Sequence, residues 1–235
     1  MEQEFPKPVQ LPGQPAPPRE PPQRRDREPP DVVEDDDLFG AEAAASSLVE
    51  RIARLRPSER DSADHAATLR PAFALGHDRV EGPAEAPRTL VVFGAFGTPS
   101  SRALGDLVDH VRDDHAATVR VAWRHYPDPV AHPRAAMLAL AAEAGAAESR
   151  FWALARELLA LRHDGPSDLH AALVRAGLDP ERALAAMRVG VGADRIVEDV
   201  ASAIESGVMF TPTLFIDGER YRGELKPAAV SAALS

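Results

Sequence analysis

The sequence predicts an α/β fold in which a long helical insertion separates two strand-forming parts of the chain. An apolar run at 89–93 and an alternating run at 119–123 flank an amphipathic helical pattern, which predicts a β-α-β unit with a parallel crossover. Helical patterns then continue from 133 to 206, after which the chain returns to two strands and a last helix. We therefore expect one α/β domain over 76–235, with helices inserted at about 130–206.

Composition excludes several classes of protein. The 235 residues carry 27 basic and 37 acidic side chains, and the resulting net charge of −10 disfavours binding to nucleic acid. No apolar stretch approaches the roughly 18 residues of a membrane span, and the acidic start at 1–4 lacks the basic and apolar parts of a secretion signal. We expect a cytoplasmic protein without a membrane span and without a nucleic-acid partner.

Residues 1–40 differ in composition from the rest of the chain. They hold 10 acids against 5 bases, and 10 of the 22 prolines fall within 1–30. Such a segment buries too little apolar surface to offset its chain entropy, so we expect a disordered, acidic, Pro-rich tail over 1–40. The tail is either a solvated spacer or a docking arm, and the sequence leaves both possibilities open.

An amphipathic helix is predicted after the tail. Residues 41–56 are good helix formers, and Pro57 stops the pattern. The apolar positions recur at i, i+4 and i+7, as Leu48, Ile52 and Leu55. This helix and a linker fill 41–75, and residues 58–87 are mostly irregular. The sequence does not decide whether the helix packs on the following domain or on another chain.

The first half of the domain is predicted from apolar periodicity. The run at 89–93 is typical of a strand that is buried on both faces. Gly94 and Gly97 end this strand, and apolar residues at i, i+3, i+4 and i+7 predict a helix over 99–114. The alternation at 119–123 predicts a second strand beside the first.

The insertion and the last part of the chain are predicted in the same way. Helical patterns lie at 133–147, 150–161, 167–176 and 180–205. The last pattern is interrupted near 190–192, where two glycines occur. Asp217-Gly218 is a hairpin dipeptide, so we expect strands at 212–216 and 220–222 on its two sides.

Six segments carry a resemblance to a known family: 91–97, 98–101, 123–127, 132–136, 151–152 and 207–218. The most specific contains Thr211-Pro212-Thr213 before an apolar strand and an Asp-Gly turn. Over about 76–235 the chain resembles the DsbA family of disulfide oxidoreductases, in particular bacterial DsbA-like domains that are sometimes fused to sodium/proton antiporters. The resemblance implies a thioredoxin-like fold with an inserted helical domain.

The family's reactive motif is replaced in this sequence. In that family a Cys-Pro-x-Cys motif opens the first helix, whose N-terminus lowers the pKa of the first thiol. The matching positions are Thr98, Pro99, Ser100 and Ser101, and the chain contains no cysteine. A hydroxyl cannot form or exchange a disulfide, so we expect no thiol–disulfide activity.

The resemblance also implies a cis-proline loop at Thr211 and Pro212. In this fold such a loop leaves the backbone of the residue before the proline free to pair with an extended peptide or with glutathione. Thr211 would present these groups beside Thr98. The candidate binding residues are therefore Thr98, Pro99, Ser100, Ser101, Thr211 and Pro212.

Two functions are compatible with these residues. In the first, a redox-inactive DsbA-like module binds a peptide or protein partner between 98–101 and 211–212, without a cofactor. In the second, the chain is similar to kappa-class glutathione transferases and isomerases, and a hydroxyl of Thr98, Ser100 or Ser101 donates to the glutathione thiolate. Helix capping by Thr98 or Ser101 is compatible with either. We favour the first, because the loss of both sulfurs removes a known chemistry, whereas the gain of a new chemistry needs evidence that the sequence lacks.

Histidines and strand arginines are assigned structural roles. His110 and His115 are five residues apart, which does not place two metal ligands on one helix face, and we expect no metal site. His125 borders a proline-rich turn and matches a structural position of the family. Strand arginines such as Arg124 and Arg220 are expected at a solvated edge.

Overall fold

A mixed sheet and its covering helices are formed by residues 36–55 and 68–235, which this computed structural model describes, with side chains from Gly40 onward. The strands are β1 (Arg79–Glu81), β2 (Arg88–Gly94), β3 (Val119–His125), β4 (Thr213–Ile216) and β5 (Glu219–Arg220). The helices are α1 (Asp36–Leu55), α2 (Ser101–Asp114), α3 (Ala135–Ala147), α4 (Phe151–Ala160), α5 (Pro166–Arg175), α6 (Pro180–Arg188), α7 (Ala193–Glu205) and α8 (Pro227–Leu234).

The sheet has the strand order β1-β3-β2-β4-β5. β2 and β3 are parallel, which confirms the predicted β-α-β pairing, and the other neighbouring pairs are antiparallel. β4 and β5 form the predicted hairpin, in which Asp217 and Gly218 both have positive φ, 50° and 87°, as a type I′ turn requires. Helices α3 to α7 lie between β3 and β4, so the α/β fold with a helical insertion is confirmed.

β2 is buried on both faces, as its continuous apolar run predicts. Leu90 and Val92 belong to the core cluster shared with α2 and the inserted helices. Val91 and Phe93 pack on the opposite face with Phe215 of β4. Because both faces of the central strand are covered, a binding site on the sheet has to lie in the loops at the strand ends.

α1 folds back on the domain and packs against α3, α6 and α7, with Leu48 and Ile52 buried. It begins at Asp36, before the predicted start at 41. Gly40 is a poor helix former and ended the sequence pattern. The helix continues through it, and the missing side chain leaves room for Arg188, whose Cγ would lie 2.7 Å from a Cβ at this position.

Two sequence predictions fall partly outside the described residues. The tail predicted over 1–40 is described only from Asp36, and the segment predicted as helix and linker over 41–75 is not described between 56 and 67. Among the helices that the structure describes, none is long and apolar enough to cross a membrane.

β1 is a strand that the sequence did not predict, because residues 58–87 show no apolar period. It pairs antiparallel with β3, with Val80 opposite Ala122. This pairing makes β3 an internal strand. The expectation that Arg124 lies at a solvated edge is therefore wrong, and its side chain is 1% exposed.

Candidate functional site

Three loops extend from one end of the sheet, at 95–100, 126–134 and 206–212. The first two leave the carboxyl ends of the parallel strands β2 and β3. The third leads into β4, which runs antiparallel to β2 with Thr213 opposite Phe93. The structure therefore brings the two predicted halves of the site, at Thr98 and Thr211, to the same end of the sheet.

Aromatic packing holds the first of these loops. Phe96 is fully buried and stacks on Trp123, with 4.8 Å between ring centroids. The Trp123 ring lies so close to Gly94 that a Cβ there would overlap it. Gly97 then adopts a positive φ of 69°, which side chains disfavour, and the chain turns toward α2. Together these residues fix the position of Thr98.

Three hydroxyls, which we call the hydroxyl cluster, close the loop at Thr98, Ser100 and Ser101. The Thr98 N–H donates to Ser101 Oγ at 2.9 Å, and Ser101 Oγ donates to the Ala95 carbonyl at 3.1 Å. Thr98 Oγ1 lies 3.0 Å from Ser101 Oγ and 3.1 Å from Ser100 Oγ. Ser101 is buried, Thr98 and Ser100 are half-buried, and Pro99 is exposed.

These contacts fix the direction of each proton in the hydroxyl cluster. Ser101 has one hydroxyl proton, which it gives to the Ala95 carbonyl, a group that can only accept. Thr98 must therefore donate to Ser101, and Ser100 must donate to Thr98. Ser100 stands at the N-cap position of α2 without a side-chain capping bond. The hydroxyls thus close the loop instead of capping the helix, and all three protons are used.

The loop before β4 presents unpaired backbone groups. The Thr211–Pro212 bond is cis, and Thr213 Oγ1 donates to the Phe210 carbonyl at 2.8 Å. No hydrogen bond in the described part of the chain uses the N–H of Phe210 or Thr211, or the Thr211 carbonyl. Met209 and Phe210 are each 66% exposed. Free backbone groups therefore adjoin two exposed apolar side chains.

Met209 and Phe210 were not among the predicted site residues. In the sequence they stand directly before Thr211-Pro212 and read as the approach to an apolar strand. One signal could have pointed to them as site residues. Both lie outside β4, which begins at Thr213, so their apolar side chains are not part of that strand. Val130, in the loop after β3, is 85% exposed and adds another apolar side chain at this end of the sheet.

A group of charged side chains is buried next to β3, and we call it the buried polar layer. Its members are Asp78, Arg79, Arg124, His125, Glu143, Arg195 and Asp199. All except Arg79 are buried. Three arginines face three carboxylates, so the layer is balanced in charge when the histidine is neutral.

Arg124 and Asp78 form the central ion pair of the buried polar layer. Nε and Nη2 of Arg124 donate to the two carboxylate oxygens at 2.7 and 3.1 Å. Nη1 donates to Ser202 Oγ at 2.7 Å and to the Pro71 carbonyl at 2.9 Å. Burial by itself raises the pKa of Asp78, but hydrogen bonds from Arg124 and from the Ala74 N–H outweigh it and hold the pKa below its ordinary value. The pair ties the segment before β1 to β3 and α7.

The hydrogen bonds of His125 define a neutral tautomer. The Trp123 indole can only donate, and its N–H group lies 3.3 Å from His125 Nδ1, so Nδ1 is the acceptor. Nε2 then carries the proton and donates to Glu143 Oε1 at 3.0 Å. Burial raises the pKa of Glu143, but hydrogen bonds from His125 and Arg79 outweigh burial and lower the pKa to about 2. Glu143 is therefore ionised, and its carboxylate accepts hydrogen bonds from both His125 and Arg79.

The pKa of Asp199 is shifted in the opposite direction from that of Glu143. Asp199 accepts from the backbone N–H of His125 at 2.9 Å and pairs with Arg195 at 2.9 Å. Burial nevertheless raises the pKa of Asp199, because the hydrogen bond from the His125 backbone and the charge of Arg195 offset burial only in part. Within the described residues, no group of three or more His, Asp or Glu side chains could hold a metal ion.

A serine, a histidine and an aspartate also meet where α2 ends and α8 packs on it. Ser231 Oγ donates to Asp114 Oδ2 at 2.8 Å. His115 Nε2 lies 2.8 Å from the same hydroxyl and must donate to it, because that hydroxyl's proton is already used. His115 therefore cannot take the serine proton, and the cluster lacks the arrangement of a general base and nucleophile.

Comparison with known proteins agrees with the fold described above. A family described as thioredoxin matches residues 75–235, more than half of the chain. The chain belongs to this thioredoxin family. Its thioredoxin-family fold aligns with oxidised BdbD from Bacillus subtilis at a TM-score of 0.63 and 18% identity, covering 73% of this chain and 97% of the other. A thioredoxin-like oxidoreductase from Silicibacter pomeroyi DSS-3 aligns at 0.59 and 20%, covering 68% and 91%. At these identities the likeness concerns the fold alone.

Curated relatives of this thioredoxin-family chain have higher identity. The Na(+)/H(+) antiporter NhaA 3 of Salinispora tropica is 39% identical over 158 residues, and NhaA 1 of Mycolicibacterium gilvum is 36% identical over 160 residues. Each alignment covers 67% of this chain but only 24% and 26% of the relative. The chain therefore spans about a quarter of the length of these relatives.

The comparisons confirm the predicted resemblance and the thioredoxin-like fold class. The chain has no cysteine, and the match of Thr98 and Ser101 to the cysteine positions of the DsbA family stays a prediction. This member of the thioredoxin family is therefore a DsbA-like domain with a degenerate motif.

Proposed function

We propose that this chain is a redox-inactive thioredoxin-family module that binds an extended peptide of a protein partner near Thr98 and Thr211. The observation that carries the proposal is that the N–H groups of Phe210 and Thr211 and the Thr211 carbonyl have no hydrogen-bond partner among the described residues, beside the exposed Met209 side chain. The absence of cysteine supports a function without disulfide exchange.

The binding step needs only groups that the chain supplies. An extended peptide would pair its backbone with the free groups of Phe210 and Thr211, as in β-strand addition. Its apolar side chains would cover Met209 and Phe210, and the removal of this apolar surface from water favours association. Such binding requires no nucleophile, metal or cofactor. We call residues 98–101 and 209–212 the peptide site.

The glutathione-dependent alternative stays a prediction. The hydrogen bonds of the hydroxyl cluster disfavour it. A glutathione thiolate needs a hydroxyl donor, and the protons of Thr98, Ser100 and Ser101 are all used inside the loop. A thermal-melt series with glutathione tests this alternative. A stabilising shift that disappears in the Thr98→Ala, Ser101→Ala double variant would favour it, and no shift at millimolar ligand would count against it.

The relatives suggest a source for the peptide. About three quarters of each NhaA relative lies outside the part that is similar to this chain. We propose that the peptide is an exposed segment of a sodium/proton antiporter of this kind. The cytoplasmic location that the sequence predicts would place the encounter on the cytoplasmic side.

A peptide array tests the site and the source separately. The array tiles the unmatched part of the M. gilvum antiporter, and a random peptide library forms the second arm. Peptides that bind the wild-type full chain are measured again on a Met209→Ser, Phe210→Ser double variant. The matched control is Val189→Ser, because Val189 is 79% exposed at the end of α6, outside the three loops.

The expected result is a loss of about tenfold or more in affinity in the double variant and no change in the control. Peptides that bind both variants like wild type, or no binding peptide in either arm, would overturn the peptide site. Binding in the random arm alone would leave the site standing and reject the antiporter as the source.

A further inference from the structure

A cavity of about 200 Å³ lies between α2 and α4, outside the peptide site. We call it the α2–α4 cavity. The lining residues that matter for a ligand are Arg102, Asp106, Val108, Trp152, Leu159 and Arg162. Because an apolar cavity of about 150 Å³ is large enough for benzene, this volume suits one ring-sized body.

The cavity has an apolar wall that the two helices form together. A Cβ on Gly105 would lie 3.3 Å from the Leu159 Cβ, so α2 and α4 approach closely at this glycine. Val108 and Leu159 are buried, and Trp152 on the same side of α4 is half-buried. These residues supply contact surface for an apolar group.

Two arginines that line the cavity are free to bind an anion. Arg156 already forms ion pairs with Glu81 and, at 3.3 Å, with Asp109. Arg102 and Arg162 are exposed, and no ion pair or hydrogen bond with another described residue involves either guanidinium. Three arginines against two aspartates also make the lining positive in a chain whose net charge is −10.

The indole N–H of Trp152 is an unsatisfied donor. The Nε1 atom is buried and has no hydrogen-bond partner among the described residues. An indole nitrogen can only donate, and a buried donor without an acceptor is unfavourable. The other tryptophan, Trp123, has its N–H directed at His125. Because Trp152 belongs to the cavity lining, a ligand acceptor that reached its N–H group would satisfy a donor that has no partner among the described residues.

We propose that the α2–α4 cavity binds a carboxylate attached to a single ring-sized apolar body. The ring lies against Leu159 and Trp152, and the carboxylate pairs with Arg102 and Arg162. This chemistry has two sources, a free arylalkanoic acid or the carboxyl-terminal aromatic residue of a peptide. The site does not depend on the proposed peptide site, which uses other residues.

The chain's two tryptophans give a direct readout. In a two-dimensional proton–nitrogen NMR spectrum of the full chain, each indole N–H gives one signal, and Trp152→Phe identifies the signal of Trp152. Titration with phenylacetate is expected to shift the Trp152 signal and to leave the Trp123 signal in place. Phenylacetamide and acetate are the ligand controls, because the first lacks the charge and the second lacks the ring.

An Arg102→Gln, Arg162→Gln double variant should weaken phenylacetate binding by about tenfold or more, since two charge-assisted contacts are removed. Arg222→Gln, at an exposed arginine outside the cavity, should bind like wild type. Tighter binding of N-acetylphenylalanine than of phenylacetate would assign the peptide terminus as the source, and the reverse would assign the free acid. No shift at millimolar phenylacetate, equal shifts with phenylacetamide, or unchanged binding in the double variant would overturn the proposal.

Discussion

The hydroxyl cluster and the buried polar layer both hold loops in place by polar contacts, but they differ in charge, burial and reach. The cluster links neutral groups two to six residues apart. The layer links charged groups across long separations, such as 46 residues between Asp78 and Arg124 and 117 between Asp78 and Arg195. Losing one charged partner in the interior leaves an uncompensated charge, whereas losing a hydroxyl leaves a neutral group. Stability should therefore depend on the layer, and the loop can lack thiols without loss of the fold.

The largest effect is expected for Arg124→Met. The substitution leaves the Asp78 carboxylate buried without its bidentate partner, and breaking a buried pair in this way costs about 3–5 kcal/mol. Chemical denaturation of the full chain measures the loss. A second substitution, Asp78→Leu, should recover part of it, because the uncompensated charge is then gone. A loss no greater than that of the exposed Arg222→Gln control would contradict the role given to the layer.

Glu143→Gln tests the same layer through pH. The folded-state pKa of Glu143 is about 2 against an ordinary 4.5, so its contribution to the free energy of unfolding is present above 4.5 and is lost as pH falls toward 2. We expect a loss of roughly 3 kcal/mol at neutral pH. We also expect a weaker dependence on pH between 4.5 and 2 than in the wild type.

Asp199→Asn is the control for Glu143→Gln, because the two carboxyl groups have pKa shifts of opposite direction. Because the folded-state pKa of Asp199 is raised above 3.8, ionisation of Asp199 lowers stability as pH rises from that value. Removing this carboxyl should make the unfolding free energy fall less as pH rises. Parallel pH profiles for wild type, Glu143→Gln and Asp199→Asn, measured by denaturation, would show that neither carboxyl has a perturbed pKa.

The sequence predicted the elements whose pattern is local and missed those that depend on distant partners. The apolar run of β2 and the Asp217-Gly218 turn are local signals, and both were predicted. β1 has three residues and no period, so it was missed, and with it the internal position of Arg124. Within the site, the resemblance to the DsbA family pointed to Thr98 and Ser101, but the direction of their protons depends on the Ala95 carbonyl, which only the folded loop brings into reach.

Ser101→Ala measures the strongest part of the hydroxyl cluster. The side chain is buried, and its loss leaves the Ala95 carbonyl and the Thr98 N–H without their partner. We expect a loss of about 1–2 kcal/mol, smaller than for Arg124→Met or Glu143→Gln. Ser167→Ala is the matched control, because Ser167 is exposed on α5. A loss as large as that of Arg124→Met would remove the contrast between the two regions.

The smallest effect is expected for Ser100→Ala. An N-cap serine usually contributes about 1 kcal/mol through a side-chain bond to a helical N–H group. Ser100 makes no such bond, and its hydroxyl donates only to the half-buried Thr98 Oγ1. We therefore expect a loss of at most about 0.5 kcal/mol in the denaturation measurement. A full capping contribution would mean that Ser100 Oγ accepts from a helical N–H group of α2. The hydroxyl cluster would then cap the helix as well as close the loop, and the distinction drawn above between these two roles would be wrong.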